Sequence, residues 1–125
     1  MYEYKGTIIN VVDGDTFDMD IDLGFHIHIH ERIRLLDIDT PEKKIYKGIN
    51  EKELGLIVTE WVKRNFLGKT VTIKTFKGTD SFGRWLAYVE DENIDFVTLY
   101  NELGINKKCE TYNPERVLML EADNE

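Results

Sequence analysis

The stretch Arg34–Glu42 reads Arg-Leu-Leu-Asp-Ile-Asp-Thr-Pro-Glu. Within nine residues it gathers a guanidinium, the carboxylates of Asp39 and Glu42, and the hydroxyl of Thr40. An arginine grips a phosphate through two parallel N–H donors. Hard oxygen ligands suit Ca²⁺ or Mg²⁺, and a spare glutamate serves as a general base. Those parts together suggest phosphoester chemistry. Two further pieces carry the same kinds of group. Asp13-Gly14-Asp15-Thr16 puts carboxylates on a tight turn where Gly14 permits unusual backbone angles, and Asp80-Ser81-Phe82-Gly83-Arg84 supplies a second arginine just before a strand.

The elements that must hold these residues follow from periodicity. Tyr4–Val12 is rich in β-branched residues and predicts a first strand; Asp13-Gly14-Asp15 is a turn signal. Phe17, Met19, Ile21 and Leu23 then alternate with Asp18, Asp20 and Asp22, a strict period of two with one face inward. Phe25–Asp39 predicts a long, bent third strand, which Pro41 stops because it has no N–H for a ladder bond. Asp39, Thr40 and Glu42 are thus displayed where strand becomes loop. Lys43–Asn50 predicts a basic loop, and Glu51–Leu67 a helix whose apolar face is Leu54, Ile57, Val58, Trp61, Val62 and Phe66, stopped by Gly68. Strands over Thr70–Phe76 and Trp85–Glu90 follow. A second helix over 96–103 is capped by Asp95 and ended by Gly104. A third starts at Asn113-Pro114, with Val117, Leu118 and Leu120 as its apolar side. Three strands, a helix, two strands and further helices give an α+β, mainly β fold: a five-stranded OB-fold barrel with about three helices, in one domain over residues 1–125.

The net charge is −8, which argues against a nucleic-acid partner if charge is averaged over the chain. The distribution is uneven. Residues 43–88 are net basic by six, while 1–42 and 89–125 are each net acidic by seven, so a local field can still steer a polyanion. No apolar run approaches a membrane span, and the first residues do not read as a signal peptide. The expected setting is the cytoplasm or a phage-encoded intracellular protein, or else a mature secreted form. Cys109 is the only cysteine, which excludes an internal disulfide and a cysteine-based zinc site.

The three motifs, in this order and at these spacings, resemble the staphylococcal nuclease (thermonuclease) family over about residues 5–104. The resemblance implies a calcium-dependent nuclease that hydrolyses DNA and RNA, preferring single-stranded or frayed regions, as a monomer. It implies Asp15 and Asp39 as carboxylate ligands of Ca²⁺, with the Thr40 carbonyl completing the protein's ligation and Asp13 as a nearby outer acid. Glu42 matches the general base that activates the attacking water, and Arg34 and Arg84 match the pair on the scissile phosphate. Phe82 and Tyr112 match residues near the bound nucleotide. The 5′ oxygen then leaves, giving 3′-phosphate ends.

Plainer readings exist for each piece. Asp13 and Asp15 can be turn formers, and the run from Asp13 is not an EF-hand loop, since its sixth position is Asp18 rather than glycine. His26, His28 and His30 alternate as a chelator would, but read more simply as a wet strand face opposite Phe25, Ile27 and Ile29. Trp61 and Trp85 read as core or core-edge residues. Ser81, Phe82 and Glu110 stand where the best-known member carries other residues, and Asp37 is an acid where the family is usually apolar or glycine. The rival function is a catalytically silent module that binds nucleic acid or protein. Degenerate domains of this kind usually lose ligand or arginine positions, and this chain keeps them.

Overall fold

The computed structural model describes residues 1–41, 45–46, 49–92 and 94–122, and the side chains of 1–41, 51–92 and 94–121. Glu42 lies outside the described residues. Strands β1 (Tyr2–Asp13), β2 (Thr16–Gly24) and β3 (Ile27–Leu35) form an antiparallel meander. A two-stranded hairpin of β4 (Ile45–Tyr46) and β5 (Ile49–Asn50) leads into helix α1 (Glu51–Phe66). Strands β6 (Thr70–Thr79) and β7 (Trp85–Asp91) follow, then the short β8 (Ile94–Asp95), helix α2 (Phe96–Leu103) and helix α3 (Pro114–Ala122). The sheet order is β3-β2-β1-β6-β7-β8. A parallel pairing of β3 with β7 at Ile33–Leu35 and Trp85–Ala87 closes five of these strands into a barrel. Closure removes most of the free sheet edge.

The alternation of β2 behaves as its pattern predicts. Phe17 and Met19 are fully buried and Ile21 nearly so, while Asp18 turns outward to an ion pair with Arg32 at 2.7 Å. Helix α1 buries Leu54, Ile57, Val58, Val62 and Phe66. Phe66 packs against Phe96 at 4.7 Å between centroids with the rings tilted by 48°, and Phe96 meets Phe17 edge-on at 6.0 Å. These rings join the barrel strands to both helices in one core, in the offset and edge-on geometries that aromatic quadrupoles favour. Trp61 and Trp85 pack against the core from its rim. Asp95 caps α2 by accepting from the Thr98 amide at 2.8 Å, and Gly104 ends it at φ 74°.

Four expectations need correction. The third strand spans Ile27–Leu35 rather than 25–39. Phe25 (φ 55°) and His26 (φ 65°) form a left-handed turn after Gly24, and Asp37 at φ 61° breaks the strand at its other end. The expected basic loop contains the β4–β5 hairpin. On α3, Val117 and Leu120 are buried but Leu118 is 44% exposed, because positions 117 and 120 share a helical face and 118 lies about 100° round. The apolar side of the β2–β3 hairpin tip is also outside the core, with Phe25 96% and Ile27 54% exposed. β3 pairs with β7 only from Ile33 onward, so the tip projects past the barrel. A groove of about 340 Å³ opens beneath it, lined in part by Tyr4, Ile29, Ile73 and Trp85.

Candidate active site

The site forms where the β1–β2 turn meets the chain leaving β3. Asp13 and Thr16 face each other across the turn, with Gly14 and Asp15 between them. Gly14 does not have a positive φ, so its need for glycine is one of space. A Cβ there would lie 2.5 Å from Val58 Cγ1 and 2.9 Å from Thr40 Oγ1. The turn is held from below by the Tyr100 hydroxyl, which donates to the Gly14 carbonyl at 2.6 Å. Burial, and then the charge of Asp15, push that phenol well above its ordinary pKa, so it stays a donor. We expect Gly14→Ala to lower stability by about 1–3 kcal/mol, the usual cost of overpacking a full interior. Thermal unfolding would measure it, and an unchanged melting temperature would contradict the close approach.

Asp15 is 7% exposed. Its Oδ2 accepts from the Thr40 amide at 3.1 Å and the Thr40 hydroxyl at 3.3 Å, and its Oδ1 from the Thr16 hydroxyl at 3.1 Å. Arg34 reaches across the same junction. Its Nη1 donates to the carbonyls of Leu35 at 2.8 Å and Ile38 at 2.6 Å. Its Nη2 lies 3.5 Å from Asp15 Oδ2 and 3.6 Å from Asp39 Oδ1. One guanidinium therefore folds the post-strand turn around itself and sits between two carboxylates. Both are partly withdrawn from water, which strengthens the interaction over its surface value.

Arg84 is prepared differently. The Asp80 carboxylate accepts from the Phe82 and Arg84 amides at 2.9 and 3.0 Å and from Arg84 Nε at 2.7 Å. Gly83, at φ 81°, lets the loop close around it. Desolvation alone would raise the Asp80 pKa, but the two amides and the guanidinium outweigh it and hold the carboxyl below its ordinary value. A depressed carboxyl stabilises the fold above its unfolded-state pKa, and the effect is lost only as pH falls through the lower folded value. The loop is thus intact at neutral and alkaline pH. With Nε occupied by Asp80, the two terminal nitrogens of Arg84 have no hydrogen-bond partner among the described residues, and together they make the fork that matches a phosphate. The guanidinium carbon lies 5.2 Å from the centre of the Phe82 ring, and that ring is 81% exposed.

Parallel pairing sets Arg34 opposite Leu86, and Arg84 immediately precedes β7, so the two arginines belong to neighbouring stretches of chain. Tyr112 stands half-buried beside this region. Its phenol is raised first by burial and then by Glu51 and Asp39, against an opposing effect of Lys107. Asp13 sits at the end of β1, and its charge is felt by Arg32. Asp15, Asp39, Thr40 and Arg34 are thus brought together; Tyr112 is within electrostatic reach of Asp39, and Arg84, with Phe82 beside it, leads into the strand that pairs with β3.

The donor chemistry fits a hard divalent cation. Asp15 and Asp39 offer carboxylate oxygens against the single guanidinium of Arg34, which leaves one excess negative charge of the kind that suits such an ion. Among the described residues no group of three carboxylate, imidazole or thiol side chains is gathered to hold a metal. His28 and His30 are exposed, and among the described residues the carboxylate they approach is that of Asp20, at 3.3 and 3.6 Å.

The motif reading missed two residues. Asn106 is 2% exposed, and its side chain bonds the backbone of both Asp37 and Asp39. Lys107 donates its amide to the Asp39 carbonyl at 2.6 Å and pairs its ammonium with Glu51 at 3.1 Å. Both follow the α2 C-cap in a stretch without periodicity, where only the structure reveals the long-range bonds. Asp37, unexplained by pattern, accepts a 2.6 Å hydrogen bond from the Tyr88 hydroxyl.

Comparison with known families decides the kinship. The profile of the family described as staphylococcal nuclease homologue matches residues 32–121. This chain belongs to that family. The match begins at Arg32 and so includes the Arg34–Glu42 stretch and the Asp80–Arg84 loop; the Asp13–Thr16 turn precedes it and joins the site through the geometry above. Two uncharacterized endonucleases, from Escherichia coli O157:H7 and Escherichia coli, are each 37% identical over 117 residues, covering 93% of this chain and 68% of theirs. The closed five-stranded barrel with three helices is the architecture expected of a staphylococcal nuclease homologue. No described helix of this homologue is long and apolar enough to cross a membrane.

Proposed function

We propose that this chain is a Ca²⁺-dependent nuclease that hydrolyses phosphodiester bonds of DNA and RNA. The observation that carries the reading is Arg34 Nη2 held within 3.6 Å of both Asp15 and Asp39. The two carboxylates outnumber the one guanidinium between them, so a net negative charge remains beside a fixed cationic group. That suits a site where a cation and an anionic phosphate meet.

Asp15, Asp39 and the Thr40 carbonyl would hold Ca²⁺. When bound, the ion supplies Lewis-acid charge compensation beside the phosphate. Arg34 and Arg84 bind the phosphoryl oxygens and stabilise the charge that builds on them in the transition state. Glu42, assigned from its place in the Asp-Thr-Pro-Glu motif, takes a proton from the attacking water. The bond from phosphorus to the 5′ oxygen breaks, and the phosphate remains on the 3′ side. Phe82 and Tyr112 supply apolar faces for a nucleotide, and stacking of this kind suits unpaired bases, hence a preference for single-stranded or frayed substrate. All of these residues come from one chain, so a monomer is sufficient.

The test is incubation of single-stranded DNA and of RNA with the protein in Ca²⁺, in Mg²⁺ and in chelator. Cleavage of both polymers only with Ca²⁺ is the expected result. Intact polymer in every condition, with the protein folded, would overturn the nuclease reading in favour of a binding module.

A further inference from the structure

We infer that Asn106 is a positioning residue that sets the cation affinity of the site by fixing the backbone of Asp39; this rests on the calcium reading above. The amide of Asn106 has two donor hydrogens and an oxygen with two lone pairs, and all four are used. Nδ2 donates to the Asp37 carbonyl at 3.0 Å and to Asn101 Oδ1 at 2.9 Å. Oδ1 accepts from the Asp39 amide at 3.0 Å and from the Lys108 amide at 3.1 Å. The side chain is buried, so each lost bond leaves a polar group without water to replace it.

The placement of these bonds is what points to the site. The amide of Asp39 goes to Asn106 Oδ1, and its carbonyl to the Lys107 amide at 2.6 Å. Both peptide groups of the residue are therefore held by one dipeptide more than sixty positions away. Asp37, two residues earlier, sits in the left-handed region at φ 61°. There the Asn106 bond to its carbonyl and the Tyr88 bond to its carboxylate hold the turn. With its backbone anchored at Asp37 and at both peptide groups of Asp39, the Asp39 carboxylate has only its own two side-chain torsions left to vary. Next to it, Thr40 is tied to Asp15. Partners that orient a ligand in this way typically change metal affinity or activity by about 10- to 100-fold when removed.

The experiment is calorimetric titration of Ca²⁺ into the wild type, Asn106→Ala, Asn101→Ala and Asp39→Asn, without substrate and well below each melting temperature. Thermal unfolding without metal would be run in parallel. Asn106→Ala is expected to weaken Ca²⁺ binding by about 10- to 100-fold while remaining folded, and saturating Ca²⁺ should restore most of its kcat. Asn101→Ala removes only one of the bonds that orient the amide; it should shift affinity in the same direction by less, and it carries the test if Asn106→Ala does not fold. Asp39→Asn should abolish binding. A lower melting temperature with unchanged Ca²⁺ affinity in both asparagine variants would overturn the inference and leave the calcium reading standing. Absence of Ca²⁺ binding by the wild type would overturn both.

Discussion

Glu42→Gln is expected to lower kcat by about 10²- to 10⁴-fold, the range that a positioned general base contributes. Glutamine keeps the size and polarity of the side chain and removes only its ability to take a proton. The water must then attack without a base, so the loss falls on the chemical step. KM should change little, because the proposed mechanism assigns the grip on the phosphate to Arg34 and Arg84 and not to this carboxylate. A residue that merely paired with a nearby cation would behave differently, since its loss would move KM or the melting temperature. Single-turnover cleavage at saturating protein and Ca²⁺ separates the two. A variant within a few-fold of the wild type would remove Glu42 from the mechanism.

Arg84→Ala carries the second large effect, a loss of about 10²–10³ in rate from removing one electrostatic contact to the developing charge. The structure makes this variant cleaner than its counterpart at position 34. Arg84 lies in a surface loop whose other bonds to Asp80 come from backbone amides, so the fold should hold. Arg84→Lys should recover little, because an ammonium lacks the planar fork. Arg34→Ala should cost activity and stability together. Nη1 satisfies the carbonyls of Leu35 and Ile38, and buried groups left unpaired cost about 1–3 kcal/mol each. Asp15 and Asp39 would also lose their shared cation. Cleavage rates read beside melting temperatures distinguish the two arginines. Equal destabilisation by both would contradict the division of labour drawn here.

The parts of the fold that are legible in the sequence are those with a local cause. The alternation from Phe17 to Ile21 fixes which face of β2 is inward. The apolar stripe of α1, the Asp95 cap, Gly104 and Asn113-Pro114 mark helices by chemistry contained within a few residues. Asp15, Arg34, Asp39 and Thr40 fall in compact motifs on either side of strands that pair, so their meeting around the Arg34 guanidinium follows from motif and topology together. Where the reading went astray, the cause was non-local. A non-glycine pair, Phe25 and His26, takes a turn usually given to asparagine or glycine, so the start of β3 carried no signal. The strand's end is set by Asp37, whose left-handed backbone is held by Asn106, about seventy residues away. Gly14 is expected to supply unusual backbone angles, but its φ is not positive, and only the approach of Val58 and Thr40 shows that space is its role. The exposure of Ile27 follows from where β7 stops pairing, which no alternation within β3 can announce.

The central claim is that this site cleaves the 5′ side of a phosphodiester with help from a cation, and product ends report it most directly. A single-stranded oligonucleotide labelled at its 5′ end would be incubated with the protein in Ca²⁺ or in chelator, and the fragment ends identified by phosphatase sensitivity and mobility. The account predicts labelled fragments ending in a 3′-phosphate, formed with Ca²⁺ and absent with chelator. Fragments ending in a 3′-hydroxyl, or cleavage that chelator does not affect, would contradict it.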